Sequence, residues 1–168
     1  SVTTFVDSFF EGFDSLKIAT NLVQNHPRYA GCTVESLIAK WDEARDHGTL
    51  VHDEIENWIK NDVEPQSIKA IQGKNWLQNY QMKSDIDVSS ELIVYSTELK
   101  IAGTFDILAK DNNTGQYELI DWKTTKKIDT VSYGYRMGTD NATKDVMDCN
   151  FYHYALQLSL YRFLLEEY

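Results

Sequence analysis

The chain has only two cysteines, two prolines and no apolar run that approaches the roughly 20 residues a membrane helix needs. Cys32 and Cys149 are far apart and form no CxxC pair, which argues against a structural zinc site and against an iron-sulfur cluster, and points to a reducing, intracellular compartment. Without a long apolar run no membrane partner is expected, and no signal peptide is visible. Cations are scarce too: 16 Lys and Arg stand against 26 Asp and Glu, a formal net charge of -10 at pH 7. Nucleic-acid-binding domains are usually basic, so this balance speaks against such a partner. It speaks weakly, because carboxylates that hold divalent cations count here as bare negative charges, and a local patch can oppose the global sign.

With 168 residues the chain is long enough for one domain with a substantial core. It starts at Ser1 rather than Met and stops at Tyr168 inside a helical pattern, which reads as a domain excised from a longer chain or a processed product. Residues 1–83 are mostly helical in pattern. A hydroxyl-capped helix is predicted over Phe5 to Phe13, and another over Lys17 to Gln24, ended by His26-Pro27. Thr33 caps a helix over Glu35 to Arg45, Gly48 interrupts it, and a further helix follows from Thr49 to Lys60. Pro65 opens a helix that runs to about Met82. In the Thr49 helix the spacing puts His52, Ile55, Glu56 and Ile59 on one face, a histidine and a carboxylate one turn apart on an apolar stripe. Taken by itself, such a histidine reads as a satisfied core or surface residue. His26, His47 and His153 show no comparable neighbours and read as structural.

After Lys83 the period changes from helical to alternating, and residues 88–127 read as a β-meander. Glu91 to Ser96 is a short β-branched and aromatic strand. In the next, Ile101, Gly103, Phe105, Ile107 and Ala109 alternate with Ala102, Thr104, Asp106 and Leu108. Asp111-Asn112-Asn113-Thr114-Gly115 has turn chemistry, and Tyr117 to Lys123 returns as a strand with Leu119, Asp121 and Lys123 on one face. Asp106 and Asp121 thus lie on neighbouring strands among apolar residues. Burying unpaired carboxylates is costly, so a cation is expected between them. Glu91 reads either as a further metal ligand or as an exposed strand-end carboxylate. A polar loop, Asp129 to Asp145, leads to a helix over residues 146–166, where Tyr154, Gln157 and Tyr161 share a stripe. They are either core aromatics with an incidental glutamine or groups that face a site.

Asp106 followed by Asp121-Trp122-Lys123 on the next strand resembles the core of the PD-(D/E)XK nuclease superfamily. Gly48-Thr49-x-x-His52 upstream, Gly103-Thr104-Phe105-Asp106, Asp121-Trp122-Lys123-Thr124 and Gln157-Leu158-x-x-Tyr161 downstream narrow the resemblance to the RecB-like clade, which includes mitochondrial genome maintenance and phage exonucleases. The opening Ser1-Val2-Thr3 is similar to the start of those members. The series covers almost the whole chain in the right order, and the absence of four cysteines places it with the branch that lacks an iron-sulfur cluster.

The resemblance implies an α/β fold of the α+β type, a restriction-endonuclease-like core with a mixed central sheet flanked by helices, in a single nuclease domain over residues 1–168. It implies that His52, Asp106 and Asp121, with the backbone carbonyl of Trp122 and a contribution from Glu91, hold one or two Mg2+ or Mn2+ ions. Lys123 then orients or deprotonates the attacking water, or stabilises charge on the phosphate. Gln157 and Tyr161 match the family's helix motif. Lys126 and Lys127, like Lys100 and Lys110, supply phosphate contacts or are merely solvated strand-end charges. The activity implied is a DNA exonuclease acting on single strands or ends, with a fused or associated helicase or polymerase as partner. Two alternatives stay open: an RNA endonuclease of the viral cap-snatching type, which uses a similar His, Asp, D/E-x-K series, and a catalytically silent nucleic-acid-binding domain.

Overall fold

A computed structural model describes residues 1–168. The fold is of the α+β class, with five α-helices and one three-stranded sheet. No helix is long and apolar enough to cross a membrane. The backbone divides into two compact units, Gly12–Leu50 and Ser1–Glu11 together with Val51–Tyr168.

In the Gly12–Leu50 unit, Asp14 caps α2 (Ser15–Asn25) by accepting the Lys17 amide at 2.9 Å, and His26 ends it in an extended conformation before Pro27. α3 (Val34–Asn61) starts here. Its cap is reciprocal: Thr33 Oγ1 accepts from the Ser36 amide at 3.1 Å, and Ser36 Oγ accepts from the Thr33 amide at 3.2 Å. The break predicted at Gly48 does not occur, and α3 runs through it for 28 residues. A lone glycine costs a helix only about 1 kcal/mol relative to alanine, too little to break a ladder of this length.

In the larger unit the first helix is earlier and shorter than predicted. α1 spans Val2–Asp7, because the Ser1 hydroxyl accepts the Thr4 amide and starts the helix at once. The fourth helix, α4 (Ile68–Gln81), is capped by Ser67 rather than opened by Pro65. Glu54 on α3 accepts both the Gln66 and Ser67 amides, at 3.1 and 2.8 Å, which pins the α4 start to α3. Val51 and Ile55 of α3 and Ala70 of α4 bury one another, with Ile59 and Trp122 packed against them. The two helices approach closely at Gly73, where a β-carbon would lie 2.7 Å from Ile55 Cδ1.

The sheet order is β1-β2-β3, from β1 (Ile86–Ser96), β2 (Ile101–Asp111) and β3 (Tyr117–Ile120). β1 begins five residues before the predicted start at Glu91, and pairs with β2 from Ile86 opposite Asp111 to Ser96 opposite Ile101. All pairs are antiparallel, in place of the expected mixed sheet. Short turns join the successive strands, which yields antiparallel neighbours, whereas a parallel neighbour needs a long crossover. β3 stops at Ile120 opposite Ile107, short of the predicted Lys123. The next step of the register would set Asp121 directly against Asp106, and like charges in that position repel. The Trp122 amide instead donates to Asp106 Oδ2 at 2.5 Å, which takes the chain out of the ladder.

The final helix, α5 (Asn150–Glu167), starts after the predicted residue 146. It buries Tyr161 and Leu164 against Val2 of α1, Val94 of β1 and Phe105 of β2. Between β3 and α5 the chain is pinned to the end of α1: the Thr139 amide and the Thr143 hydroxyl both donate to the Phe9 carbonyl, at 2.8 and 3.1 Å. Gly103 on β2 lies under α5, where a β-carbon would meet Tyr161 Cε1 at 2.7 Å and Val2 Cγ2 at 2.8 Å. Gly103→Ala is expected to destabilise the fold by about 1–3 kcal/mol through overpacking. Urea denaturation measures this, and an unchanged midpoint would show that α5 does not seat closely on β2.

Candidate active site

The register sets three carboxylates in one row across the sheet. Ser90 pairs with Ile107 and Leu92 with Phe105, so Glu91 falls opposite Asp106 without pairing itself. On the other side of β2, Asp121 follows the last β3 pair. Glu91 adopts a left-handed backbone, φ 51°, which a glutamate seldom takes. Asp106 is buried at 9% exposure although it lies on the face opposite Phe105 and Ile107.

His52 reaches the row from α3, its Nδ1 3.1 Å from Asp106 Oδ1. A neutral imidazole in this contact donates Nδ1–H to the carboxylate, which leaves the Nε2 lone pair free. His52, Glu91 and Asp106 each bring one ligand atom within 4.8 Å of the others. One imidazole nitrogen among hard carboxylate oxygens suits Mg2+ or Mn2+, with the nitrogen tilting the preference toward Mn2+. Among the expected ligands, Asp121 stands outside this group of three, its carboxylate ion-paired with Lys123. Trp122 meets Asp106 through its amide N–H. Glu91, the secondary candidate of the sequence, thus lies within the group that could hold a cation.

The lysine is held from three sides. Besides Asp121, Lys123 Nζ donates to Gln157 Oε1 at 3.4 Å and lies 4.7 Å from the centre of the Tyr154 ring. Gln157 Nε2 in turn donates to the Tyr161 hydroxyl at 3.2 Å and to Thr3 Oγ1 at 3.4 Å. The Tyr154, Gln157 and Tyr161 stripe is thus a support for Lys123 as well as a core contact. Trp122, between the two charged side chains, packs on the α3–α4 cluster and meets Trp76 edge-on at 5.5 Å, which anchors the segment. Lys127 is ion-paired with Asp129, and Lys126 is exposed. Lys110 lies 5.9 Å from the Tyr117 ring centre, and Lys100 is exposed at a strand end.

One pairing escaped the sequence reading. His153 is flanked by carboxylates, Asp148 Oδ1 at 2.9 Å from Nε2 and Asp7 Oδ1 at 3.5 Å from Nδ1, and stacks on Phe10 at 4.1 Å. It ties α1 to the start of α5. Asp7 comes from the opposite end of the chain, so no local pattern signals the contact; Asp148, five residues before His153, is the only nearby hint. Compared with known proteins, the chain matches no family model, no curated protein and no solved structure.

His52, Glu91 and Asp121 hold protons more tightly than usual. The hydrogen bond to Asp106 raises the His52 pKa above its ordinary 6.5, against the opposing effect of burial. Burial raises Glu91, helped by the nearby charges of Asp106 and Glu56. Burial also raises Asp121, and outweighs the stabilising contact with Lys123. A cation bound by His52 and Glu91 competes with their protons. Mn2+ affinity is therefore expected to rise with pH from 4.5, the ordinary value for Glu91, to above 6.5, with protons released on binding. Calorimetric titration in buffers of different ionisation enthalpy reads both quantities, and an affinity flat across that range would sink the assignment.

A carboxyl whose folded pKa is raised loses folding stability as pH climbs through that value, and the cost is fully present above it. Glu91→Gln removes that cost, and Glu91→Gly also relieves the left-handed backbone. Both variants are expected to melt no lower than wild type at pH 7 in EDTA. Both should also lose most of the Mn2+-induced stabilisation, which for wild type is about 2.7 kcal/mol at a hundredfold excess over Kd. Full Mn2+ stabilisation in either variant would remove Glu91 from the ligand set.

Proposed function

We propose that the chain is a divalent-metal-dependent nuclease of the PD-(D/E)XK type, similar to the RecB-like exonucleases without an iron-sulfur cluster, which hydrolyses phosphodiester bonds of DNA at single strands or ends. The meander β1-β2-β3 with α5 packed on it is then the restriction-endonuclease-like core. One observation carries the reading: residues from α3, β1, β2, the segment after β3 and α5 converge so that the His52, Glu91 and Asp106 donors adjoin the Asp121–Lys123 pair, and Gln157 touches that lysine.

His52, Glu91 and Asp106 are the residues that would hold a divalent cation, which would supply Lewis-acid chemistry to the phosphoryl group and the attacking water. The protein's own groups do the rest. Asp121, Gln157 and the Tyr154 ring fix the Lys123 ammonium in place before substrate arrives, so it loses little freedom when it meets a non-bridging phosphate oxygen. Water then attacks phosphorus, the bond to the sugar oxygen breaks with its electron pair leaving on that oxygen, which takes a proton from solvent, and the negative charge that builds up on the phosphoryl oxygens faces that ammonium. Asp121, with its raised pKa and its place beside Lys123, is the group able to take the proton of the attacking water. Thr3 and Tyr161 act through Gln157, as positioning residues.

Cleavage of end-labelled single-stranded DNA, duplex DNA and RNA, with Mn2+, Mg2+ or EDTA, tests the proposal. Metal-dependent degradation of DNA is expected, reduced at least a hundredfold in Asp121→Ala and in Lys123→Ala. RNA degraded in preference to DNA would favour the cap-snatching type of chemistry. Binding with no cleavage of any substrate would make the domain a silent binding module.

A further inference from the structure

A cavity of about 430 Å³, with Lys123 in its wall, opens between α3, α4 and the segment after β3. Its volume is within the range of ligand pockets. Two indoles form a corner of it: Trp76, 46% exposed, and Trp122, their rings at 88°. Tyr80 stacks parallel to Trp76 at 5.3 Å and 7°, so the platform is two rings deep. Lys69 and Lys123 are the only charged groups that line the cavity, and no carboxylate does. In a chain of net charge -10 that selection is notable. Lys69 Nζ donates to the carbonyl of Thr124, another lining residue, at 2.6 Å, which holds its ammonium in the cavity wall.

We infer that this cavity holds an unpaired base of the nucleic-acid strand next to the scissile phosphate, stacked on Trp76, with Lys69 at the strand's backbone. The inference rests on the nuclease reading above and specifies its substrate as a single strand. An aromatic platform recognises any base by its π-face. A base within a duplex already has both faces covered by its neighbours, so the platform rewards only a base free to leave the stack. The cations alone would serve either kind of strand; the indoles are what discriminate. Lys123 and Trp76 both line the one cavity, so a phosphate at the first and a base on the second can belong to one nucleotide.

The test is fluorescence anisotropy in EDTA, which reads binding without cleavage, using a short labelled oligothymidylate, the same strand with abasic sites in place of bases, the matching oligouridylate and a duplex. Wild type is expected to bind the base-bearing strand about tenfold more tightly than the abasic one. Trp76→Ala should bind the two equally, and Trp76→Phe should recover most of the preference, which separates lost stacking from lost folding. Oligouridylate should behave like oligothymidylate, because stacking does not read the sugar. A preference for bases that survives in Trp76→Ala, or is absent in wild type, would overturn the inference, and so would tighter binding of the duplex. A protein that prefers base-bearing strands in this assay but cleaves nothing with Mn2+ would instead refute the nuclease reading and leave the stacking site standing.

Discussion

Asp106 sits at the centre of β2 with Glu91 opposite on one side and Asp121 next in register on the other, so an unbroken sheet would hold three carboxylates in a row. Directly opposed like charges destabilise a sheet, and the repulsion grows where burial removes the water that screens it. Each irregularity nearby relieves that row. Glu91 turns into a left-handed conformation and drops out of the ladder. β3 ends before Asp121, whose carboxylate turns to Lys123. Asp106 accepts from the Trp122 amide and faces His52. The two neighbouring carboxyls still hold their protons more tightly than usual, chiefly because they are buried, with the Asp106 charge adding to the effect.

The row is costly to bury, and the apolar packing on both sides of it supplies the compensation. Phe105 and Ile107 flank Asp106 in sequence and are fully buried, Phe105 in the cluster that α5 and α1 complete. On the other side Trp122 is inserted against the α3–α4 pair. Asp121 and Lys123 flank that indole, so its burial fixes where both charged groups leave the backbone. α5 serves both purposes with one stripe: Tyr161 fills the core at 3% exposure, and one turn earlier Gln157 reaches Lys123. Packing energy and site geometry therefore depend on the same residues, and this is why Gly103 matters although it carries no chemistry. Its missing side chain lets Tyr161 approach β2.

Much of this could be read from spacing. The alternation around Asp106, the turn at Asp111–Gly115 and the stripe through Gln157 are local periodicities, and local periodicities survive folding. What could not be read was decided by balances between distant parts. Gly48 looks like a break, but the ladder on either side outweighs one glycine. The full length of β1 was hidden because Ser89 and Ser90 blur the alternation, while the partner strand β2 supplies the pairing. The end of β3 depends on repulsion between residues on two strands, and periodicity along one strand has no means of registering it. The ion pair of Asp121 with Lys123, two residues on, is likewise a matter of where the backbone turns after β3, which spacing alone does not give.

The whole-chain charge is a poor guide for the same reason. Three of the carboxylates behind the net charge of -10 belong to the row: a divalent cation would offset Glu91 and Asp106, and Lys123 offsets Asp121. Others are spent in local pairs, such as Glu56 with Lys60 and Arg162 with Glu166, which leave little field at a distance. The cavity beside Lys123, by contrast, is lined by two ammonium groups and no carboxylate. An approaching phosphodiester would meet this arrangement at short range, where the nearest groups dominate and salt screens the remainder. An acidic protein can therefore still offer an anionic strand a favourable point of entry, provided that its carboxylates are concentrated where a cation balances them and kept out of the groove that the strand would follow.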